Sequence, residues 1–469
     1  MVGIVATGAY IPLYRLGPYT KGLGLRGEKA VANCDEDSIT MAVTACHDLL
    51  AKIDRSSIDA LYFATTSAPY LEKLGATTVA TAADLRTDIG VCDFTNSIRA
   101  GSMALKAATD AVKAGSAKRV LVVASDLRIA KPGSEFETIY GDGAAALLIG
   151  DSDVAAEIGD AYAMADEIID YWRPDGDRWM QGWEERFCLD EGYLKIMPQA
   201  MRKLLEKSKV KIEDISKVIF YAPDSRRHAE MTKSMKLKAP DQIDGTLFDK
   251  AGNSGAAFVP LMLVAALEQA KPGETIMAAN YGSGADAFLV KTTDKIGNVK
   301  GARGVKGHLD SKREMADYMR YLQWRGLTEI RGGGRRPPPT PPSAVSIWRE
   351  RKDNLRFYGV RCNKCNYRQY PSQRICTICE SKDDFKPEKM YGETMELYTY
   401  SLDYVAPHPN RPTSIGVVNF KNGGRAMLFL TDYNPDELKC GMQLETVFRD
   451  LGFVGGFHNY AWKGTPVRA

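Results

Sequence analysis

The stretch that most constrains this fold is a short apolar run, Val91 to Phe94, which leads directly into a helical pattern. A helix is predicted from Ile98 to about Ala114, because the segment is rich in Ala, Leu, Met and Val and Gly115 is placed to end it. The N-terminus of such a helix carries partial positive charge and free N–H groups, which favour an anionic nucleophile such as a thiolate. This strand–helix turn is therefore a candidate site of chemistry.

The pattern around this turn is repeated along the chain. Strands and helices alternate through residues 1–165 and again through 166–297, and strands are predicted at residues 3–8, Ala60–Thr65 and Val120–Ala124. This alternation predicts a parallel α/β architecture. The length of 469 residues allows two or three domains.

Charge and hydropathy exclude several classes of protein. The net charge of +3 is too small to indicate a nucleic-acid partner. No run of about 18 apolar residues is present, so we expect neither a transmembrane helix nor a membrane partner. Residues Met1 to Tyr10 lack a basic region and are predicted to form a strand, not a signal peptide. We therefore expect a cytoplasmic protein.

Four of the nine cysteines have metal-ligand spacing, and they are Cys362, Cys365, Cys376 and Cys379. Two Cys-x-x-Cys knuckles can place four thiolates tetrahedrally, which leaves no open position for substrate or water. The sequence predicts one structural Zn²⁺ here, in a zinc ribbon over residues 355–388; the spacing alone does not separate zinc from iron. The paired knuckles suit a reducing compartment.

The segments on either side of the ribbon have different compositions. Residues 298–354 are predicted to be a helical and Gly/Pro-rich linker, with a charged helix at Asp310–Leu327 followed by glycines and a proline run at 331–343. Residues 389–469 alternate apolar and polar positions. This pattern predicts a small β-barrel with strands at Leu397–Ser401, Ser414–Phe420, Ala426–Thr431 and Leu444–Arg449.

The turn after Phe94 resembles the nucleophile turn of the hydroxymethylglutaryl-CoA synthases and the related class III ketoacyl synthases. The matching positions are Thr95, Asn96, Ser97, Arg99, Ala100 and Gly101. The position that holds the nucleophilic cysteine in the family is Ile98 here, and isoleucine cannot be acylated. The resemblance covers nearly all of residues 1–297. It implies a duplicated thiolase fold, in which two five-stranded sheets enclose buried helices.

Two further motifs resemble the family and depart from it at the reactive position. Thr66 occupies the place of the family's general acid/base glutamate, and Tyr221 occupies that of its general-base histidine. Asn253 matches the family asparagine that helps to bind the thioester or to polarise its carbonyl. His228 lies near Tyr221 in sequence, and we expect it to be a surface histidine and not a relocated base.

The remaining cysteines do not replace the missing nucleophile. Cys92 is expected to be buried in the strand before the turn, whereas Cys34, Cys46 and Cys188 have no motif around them. The segment 355–469 resembles the zinc-ribbon/OB-fold family that accompanies thiolases and acyl-CoA synthases. In other OB barrels aromatic side chains bind nucleic acid, and Tyr398, Tyr400 and Tyr404 are the residues considered for that role. The residues flanking them are not markedly basic, so we expect no nucleic-acid partner.

These resemblances leave three hypotheses. The first is a synthase-like subunit without the Cys/His/Glu machinery, which binds or channels acyl-CoA, forms a homodimer and supports a separate catalytic thiolase. The second is an enzyme that makes or cleaves a C–C bond of a CoA thioester by aldol, retro-aldol or Claisen chemistry, with Tyr221 and Asn253 as catalytic candidates. The third is a nucleic-acid or other binding module. The expected substrate-binding residues are Ser97, Ile98, Tyr221 and Asn253, and a coenzyme A thioester is the expected ligand or substrate.

Overall fold

The structure is a computed structural model, and it describes residues 1–238, 240–243, 247–330, 340–406 and 408–468. These residues group into two compact units. Unit 1 comprises residues 1–32, 41–80 and 85–318, and unit 2 comprises residues 33–40, 81–84 and 319–469. Most of the expected Gly/Pro linker, residues 331–339, lies outside the described residues.

The strands and helices are as follows. The strands are β1 Gly3–Tyr10, β2 Tyr14–Leu16, β3 Lys29–Val31, β4 Ala60–Ala64, β5 Gly90–Phe94, β6 Arg119–Asp126, β7 Gly143–Gly150, β8 Ala156–Ala165, β9 Tyr171–Trp172, β10 Gln181–Gly182, β11 Lys217–Phe220, β12 Thr275–Tyr281, β13 Gly284–Thr292, β14 Arg313–Glu314, β15 Tyr358–Cys362, β16 Arg368–Gln369, β17 Phe385–Lys389, β18 Met395–Asp403, β19 Thr413–Phe420, β20 Arg425–Leu430, β21 Gln443–Val454 and β22 Phe457–Pro466. The helices are α1 Ser38–Leu50, α2 Gly75–Ala82, α3 Ala100–Lys113, α4 Glu135–Ile139, α5 Glu185–Phe187, α6 Leu194–Ser208, α7 Ser225–Ser234, α8 Phe258–Leu267, α9 Gly304–Asp310, α10 Tyr318–Trp324, α11 Ala344–Arg349 and α12 Arg351–Asn354.

Unit 1 is built on one nine-stranded sheet with the order β11-β12-β13-β8-β1-β7-β6-β4-β5. The strands β5, β4 and β6 run parallel, as do β11 and β12, but the other five pairings are antiparallel. The predicted α/β class is confirmed, whereas the prediction of a parallel sheet is wrong, because the sheet is mixed. The two expected five-stranded sheets are joined edge to edge, because β1 pairs with β8 at Gly3 and Ile4. Within the described residues the second group has four strands, and beyond β11 the carbonyl of Gln242 accepts a hydrogen bond from the Val218 N–H at 2.9 Å.

The predicted helix after the turn is α3, and small residues let it pack closely. A side chain at Gly101 would place its Cβ only 2.4 Å from the carbonyl oxygen of Ala256, so only glycine fits at this contact. Helix α8 also contacts α3 and is apolar on every face, which is typical of a fully buried helix. The first turn of α3 is therefore held in the interior of unit 1, while Thr95 and Asn96 of the preceding turn are exposed.

The boundaries inside the chain differ from the predicted ones. β8 ends at Ala165 but pairs along most of its length with β13, so it joins the sheet of the second half. Unit 1 also continues past residue 297 to Tyr318, because β14 pairs with β2. The charged helix predicted at Asp310–Leu327 is instead a two-residue strand followed by the shorter helix α10. Pairing with a strand about 300 residues earlier overrides the local helical pattern.

The C-terminal part of unit 2 contains a three-stranded sheet in the order β16-β15-β17, followed by a closed barrel in the order β18-β19-β20-β22-β21. The predicted small barrel is thus confirmed, with the four predicted strands and a fifth, β22, which the sequence pattern missed. No helix in the described part of the chain is both long and apolar enough to cross a membrane.

Candidate active site and cysteine cluster

The turn between β5 and α3, residues 95–99, is well ordered by hydrogen bonds but carries no nucleophilic side chain at position 98. Asn96 adopts a positive φ of 67°, and the Ser97 hydroxyl accepts a hydrogen bond from the Arg99 N–H at 3.1 Å. The carbonyl of Ile98 accepts a hydrogen bond from the Asn280 side chain at 3.1 Å. The half-buried Ile98 side chain lines a cavity of about 280 Å³. A hydrocarbon thus occupies the position at which acyl transfer needs a thiolate.

Arg99 fixes this turn through contacts that span the whole of unit 1. Its Nε and Nη2 atoms donate to the two carboxylate oxygens of Asp286 at 3.0 and 2.6 Å, and Nη1 donates to the carbonyls of Gly282 and Ser283. Such a bidentate pair restrains both position and orientation. The local motif marks Arg99 but does not predict this ion pair, because Asp286 lies 187 positions away in the sequence.

Thr66, at the position of the family glutamate, donates hydrogen bonds to a buried carboxylate. Its N–H and hydroxyl donate to Asp126 at 2.6 and 2.8 Å. Asp126 also accepts hydrogen bonds from the hydroxyls of Thr65 and Ser67 and from the N–H of Ala256. A threonine held this way supplies no carboxyl group for proton transfer.

Arg128 is a cavity residue that the sequence analysis did not identify. Its Nη1 donates to the Thr66 hydroxyl at 3.2 Å, and its guanidinium carbon lies 4.1 Å from the ring centroid of Tyr140. Burial alone would lower the pKa of Arg128, but the neighbouring Tyr140, Asp126 and Tyr221 raise it above its usual value. The group therefore stays cationic in the cavity that Ile98 also lines. No motif marks Arg128, since its role depends on residues brought together by the fold.

Tyr221, at the position of the family histidine, is buried and lines the same cavity. Burial raises the pKa of its phenol well above the usual value, and a hydrogen bond with Asn253 acts in the opposite direction. The phenol is thus neutral at physiological pH and can donate a proton or a hydrogen bond.

Asn253 does not line the cavity and instead braces the loop after β11. Its Nδ2 donates to the carbonyl of Ala222 at 3.3 Å, and its Oδ1 accepts from the N–H of Gly255 at 3.0 Å. The structure therefore brings Ser97, Ile98 and Tyr221 to one cavity together with Thr66, and places Asn253 behind Tyr221.

Three other candidates lie where the sequence did not predict them. His228 was expected at the surface but is buried, stacks on Phe220 at 4.2 Å and lies outside the cavity lining. Burial lowers its pKa to about 4, so it is a neutral packing residue. Cys92 was expected to be buried but is exposed, because β5 is the edge strand of the sheet. Cys188 lines the cavity, and burial raises the pKa of its thiol, which disfavours a thiolate.

The four predicted metal ligands form a compact cluster in unit 2. Their Sγ atoms all lie within 4.8 Å of one another, with 3.6 Å between Cys362 and Cys379 and 3.4 Å between Cys365 and Cys376. Thiolates at 2.3 Å from a tetrahedral zinc ion are about 3.8 Å apart, so the arrangement fits such an ion. The pKa of Cys376 is lowered to about 6, chiefly by the backbone N–H of Cys379, whereas the pKa of Cys365 is raised to about 12, with burial and hydrogen bonds to the other three thiols acting upwards.

The barrel tyrosines considered for stacking have other contacts. The Tyr400 hydroxyl donates to the carbonyl of Leu438 at 2.7 Å, and the Arg425 guanidinium carbon lies 4.0 Å from the ring centroid of Tyr398. These contacts restrict both rings, while Tyr404 remains exposed.

The comparisons with known proteins begin with three family matches. Residues 92–167 match 3-oxoacyl-[acyl-carrier-protein (ACP)] synthase III, and residues 205–291 match the C-terminal part of the same enzyme. Residues 391–449 match the C-terminal OB-fold domain of ChsH2. The class defined by the fold and these matches is thus a thiolase-type chain, similar to the 3-oxoacyl-[acyl-carrier-protein] synthases III, with an appended OB barrel.

Individual relatives define the family further. The hydroxymethylglutaryl-CoA synthase of Methanocaldococcus jannaschii is 33% identical over 342 residues, which cover 69% of this chain and 99% of that protein. The synthase of Caldivirga maquilingensis is 33% identical over 347 residues, covering 70% of this chain and 99% of that protein. The chain therefore belongs to the hydroxymethylglutaryl-CoA synthase family, and the predicted resemblance is confirmed.

Solved structures have the same fold at lower identity. A hydroxymethylglutaryl-CoA synthase complexed with CoA superposes with a TM-score of 0.62 at 20% identity, covering 69% of this chain and 89% of that one. The 3-oxoacyl-[acyl-carrier-protein] synthase III of Aquifex aeolicus superposes with a TM-score of 0.55 at 21% identity, covering 62% of this chain and all of that one. The predicted thiolase-like α/β fold is confirmed by these neighbours.

Proposed function

We propose that this chain binds a CoA thioester in the unit 1 cavity without becoming acylated, and that it serves as a subunit of an acyl-CoA thiolase complex. The observation that supports the proposal is Ile98, which lines an open cavity at the nucleophile position of a turn that is otherwise intact. Thr66 and Tyr221 stand at the other two reactive positions. Family membership and a CoA-bound family structure support a CoA thioester as the ligand.

The same chain offers surfaces for assembly. β5 is the edge strand of the nine-stranded sheet, and an edge strand presents unpaired N–H and C=O groups that can pair with a second copy. We propose a homodimer through this edge. The barrel of unit 2 matches a ChsH2 OB-fold domain, and we propose that it engages a separate, cysteine-bearing thiolase.

Co-expression of the full chain with a thiolase encoded beside it tests this assembly. We expect the thiolase to copurify with this chain and to lose most of its turnover when this chain is left out. Light scattering should give at least a dimer. A monomeric chain together with a thiolase that is fully active alone would contradict the proposal.

A second function is favoured by the neutral phenol of Tyr221. In a retro-aldol cleavage of a β-hydroxyacyl-CoA, the bond between the α and β carbons breaks and its electron pair passes to the thioester enolate. Tyr221 can protonate that enolate carbon, while the substrate hydroxyl gives its proton to a carboxylate of the cavity such as Glu135. Release of acetyl-CoA that disappears in Tyr221→Phe, and persists in Tyr398→Phe on the barrel, would favour this function over the first.

We also infer that Cys362, Cys365, Cys376 and Cys379 hold one structural zinc ion. The proposal rests on the compact sulfur cluster and on four-thiolate chemistry, which suits zinc better than the hard cations. A closed site of this kind stabilises the ribbon and takes no part in thioester chemistry.

A further inference from the structure

A second cavity of unit 1 lies between α8 and α9, and it shares no lining residue with the cavity that Ile98 lines. We call it the α8–α9 groove. Its volume is about 730 Å³, compared with about 280 Å³ for the cavity at Ile98. Small-molecule sites usually have volumes of about 300–1,000 Å³. The groove is therefore large enough to hold a ligand of its own.

The floor of the groove is apolar and lies below the protein surface. Ile219 and Met262 are each 6% exposed, and Val305 is 2% exposed. The floor residues are Ile219, Leu247, Met262, Ala266, Val305 and Leu309. Among the residues that the structure describes, no aromatic ring lines the groove, so a nucleotide base would find no stacking partner. Because the floor is recessed, it can contact a chain that enters the groove but cannot reach the surface of a bilayer.

Seven charged residues line the groove, four lysines and three carboxylates, and four of the seven form ion pairs with each other. The Lys312 Nζ atom donates to both carboxylate oxygens of Glu28, at 2.6 and 2.7 Å. Lys306 pairs with Asp310, four residues further along α9. These two pairs cancel, and they leave two lysines and one carboxylate.

The remaining carboxylate is Glu268, and the backbone offsets much of its charge. It accepts hydrogen bonds from the N–H of Val305, at 2.9 Å, and from the N–H of Lys306. Burial raises the pKa of Glu268, while these N–H groups and the charge of Lys300 act in the opposite direction. The exposed Lys250 and Lys300 themselves form no ion pair within the described part of the chain. Two lysines thus give the groove an excess of positive charge.

We propose that the α8–α9 groove is a binding site for a free fatty acid, an unbranched aliphatic chain that ends in one carboxylate. The apolar floor contacts the chain, and Lys250 and Lys300 donate charge-assisted hydrogen bonds to the carboxylate. This site differs from the proposed thioester site in both its residues and its ligand. The inference therefore does not depend on the proposed function.

Calorimetric titration of the full chain with decanoate, 1-decanol and butyrate tests the inference. Decanol keeps the chain but lacks the charge, whereas butyrate keeps the charge but is too short to cover the floor. We expect one decanoate per chain, bound about tenfold more tightly than decanol, and no measurable binding of butyrate. In the double variant Lys250→Met/Lys300→Met the preference for decanoate over decanol should fall to about one. Retained decanol binding reports that this variant is folded.

Two further variants provide the controls. Lys113→Met/Lys271→Met removes the same charge from exposed lysines that do not line the groove, and it should keep the full preference for decanoate. Ala265→Leu extends a side chain from α8 into the groove, and it should weaken decanoate and decanol binding together. Absence of decanoate binding, or equal binding of decanoate and decanol, would overturn the inference. A preference that persists in Lys250→Met/Lys300→Met, or decanoate binding that Ala265→Leu leaves unchanged, would also overturn it.

Discussion

A buried ionic cluster in unit 2 allows a quantitative prediction. The Arg449 side chain is only 1% exposed, and its Nη2 lies 2.8 Å from Asp432 and 3.1 Å from Glu36. Its Nε is 3.5 Å from Asp35, which also pairs with Lys463 at 2.9 Å. Three carboxylates therefore share two cations away from solvent.

The substitution Arg449→Met keeps the volume but removes the cation that contacts all three buried carboxylates. Breaking a buried pair by removing one partner typically costs about 3–5 kcal/mol, because the remaining charge is uncompensated. Since every 1.4 kcal/mol is a factor of ten, the local opening equilibrium should rise by about a hundredfold or more. An exposed pair, in contrast, contributes about 0–1 kcal/mol.

Hydrogen exchange measured by mass spectrometry is the suitable assay, because a chain of two compact units need not unfold in a single transition. Amides of β21 and β22 should exchange about a hundredfold faster in Arg449→Met. The control is Arg374→Met, which removes the exposed ion pair with Asp383 and should change exchange less than tenfold. Equal, small effects of both substitutions would refute the argument that Arg449 compensates a buried cluster.

Three further outcomes are expected. Cys365→Ser should release the metal ion and unfold the ribbon while unit 1 keeps its thioester affinity, since structural zinc provides on the order of 10 kcal/mol in small domains. A metal content well below one equivalent in the unmodified protein would argue against this. Burial alone would lower the pKa of His458, but its contact with Asp450 at 2.6 Å raises it above the unfolded value. The contribution of His458 to stability is thus complete below the unfolded pKa near 6.5 and is lost as pH rises through the folded pKa. Hydrogen exchange of the barrel amides, corrected for intrinsic rates, should therefore depend on pH in the unmodified chain and lose this dependence in His458→Gln. Asp286→Asn should weaken the bidentate contact with Arg99 and reduce thioester affinity at least tenfold, measured by calorimetry, and an unchanged affinity would show that the turn does not depend on this pair.

Long elements with a strong local pattern were predictable from the sequence. The helix after the turn begins within two residues of its predicted start, and β6 contains the predicted strand Val120–Ala124. β22 was missed because Trp462 to Thr465 are buried in succession, so the strand lacks the alternation of apolar and polar residues that marks its neighbours. β14 consists of two charged residues, and only its pairing with β2 makes it a strand.

The candidate site, too, was only partly predictable from the sequence. Local motifs identified Thr66, Ile98 and Tyr221, and the fold brings all three to one cavity. The position of Asn253 behind the cavity and the cationic role of Arg128 were not predictable. Both depend on contacts between segments that are distant in sequence, and no single motif records such contacts.

The measurement that tests the central claim most directly is the intact mass of the full chain after incubation with acetyl-CoA and with acetoacetyl-CoA. Because Ile98 replaces the nucleophile, we predict an unchanged mass at thioester concentrations that saturate the cavity. A stable acyl adduct mapped to Ser97, Cys92 or Cys188 would contradict the account, because this chain would then form the covalent intermediate that the proposed function excludes.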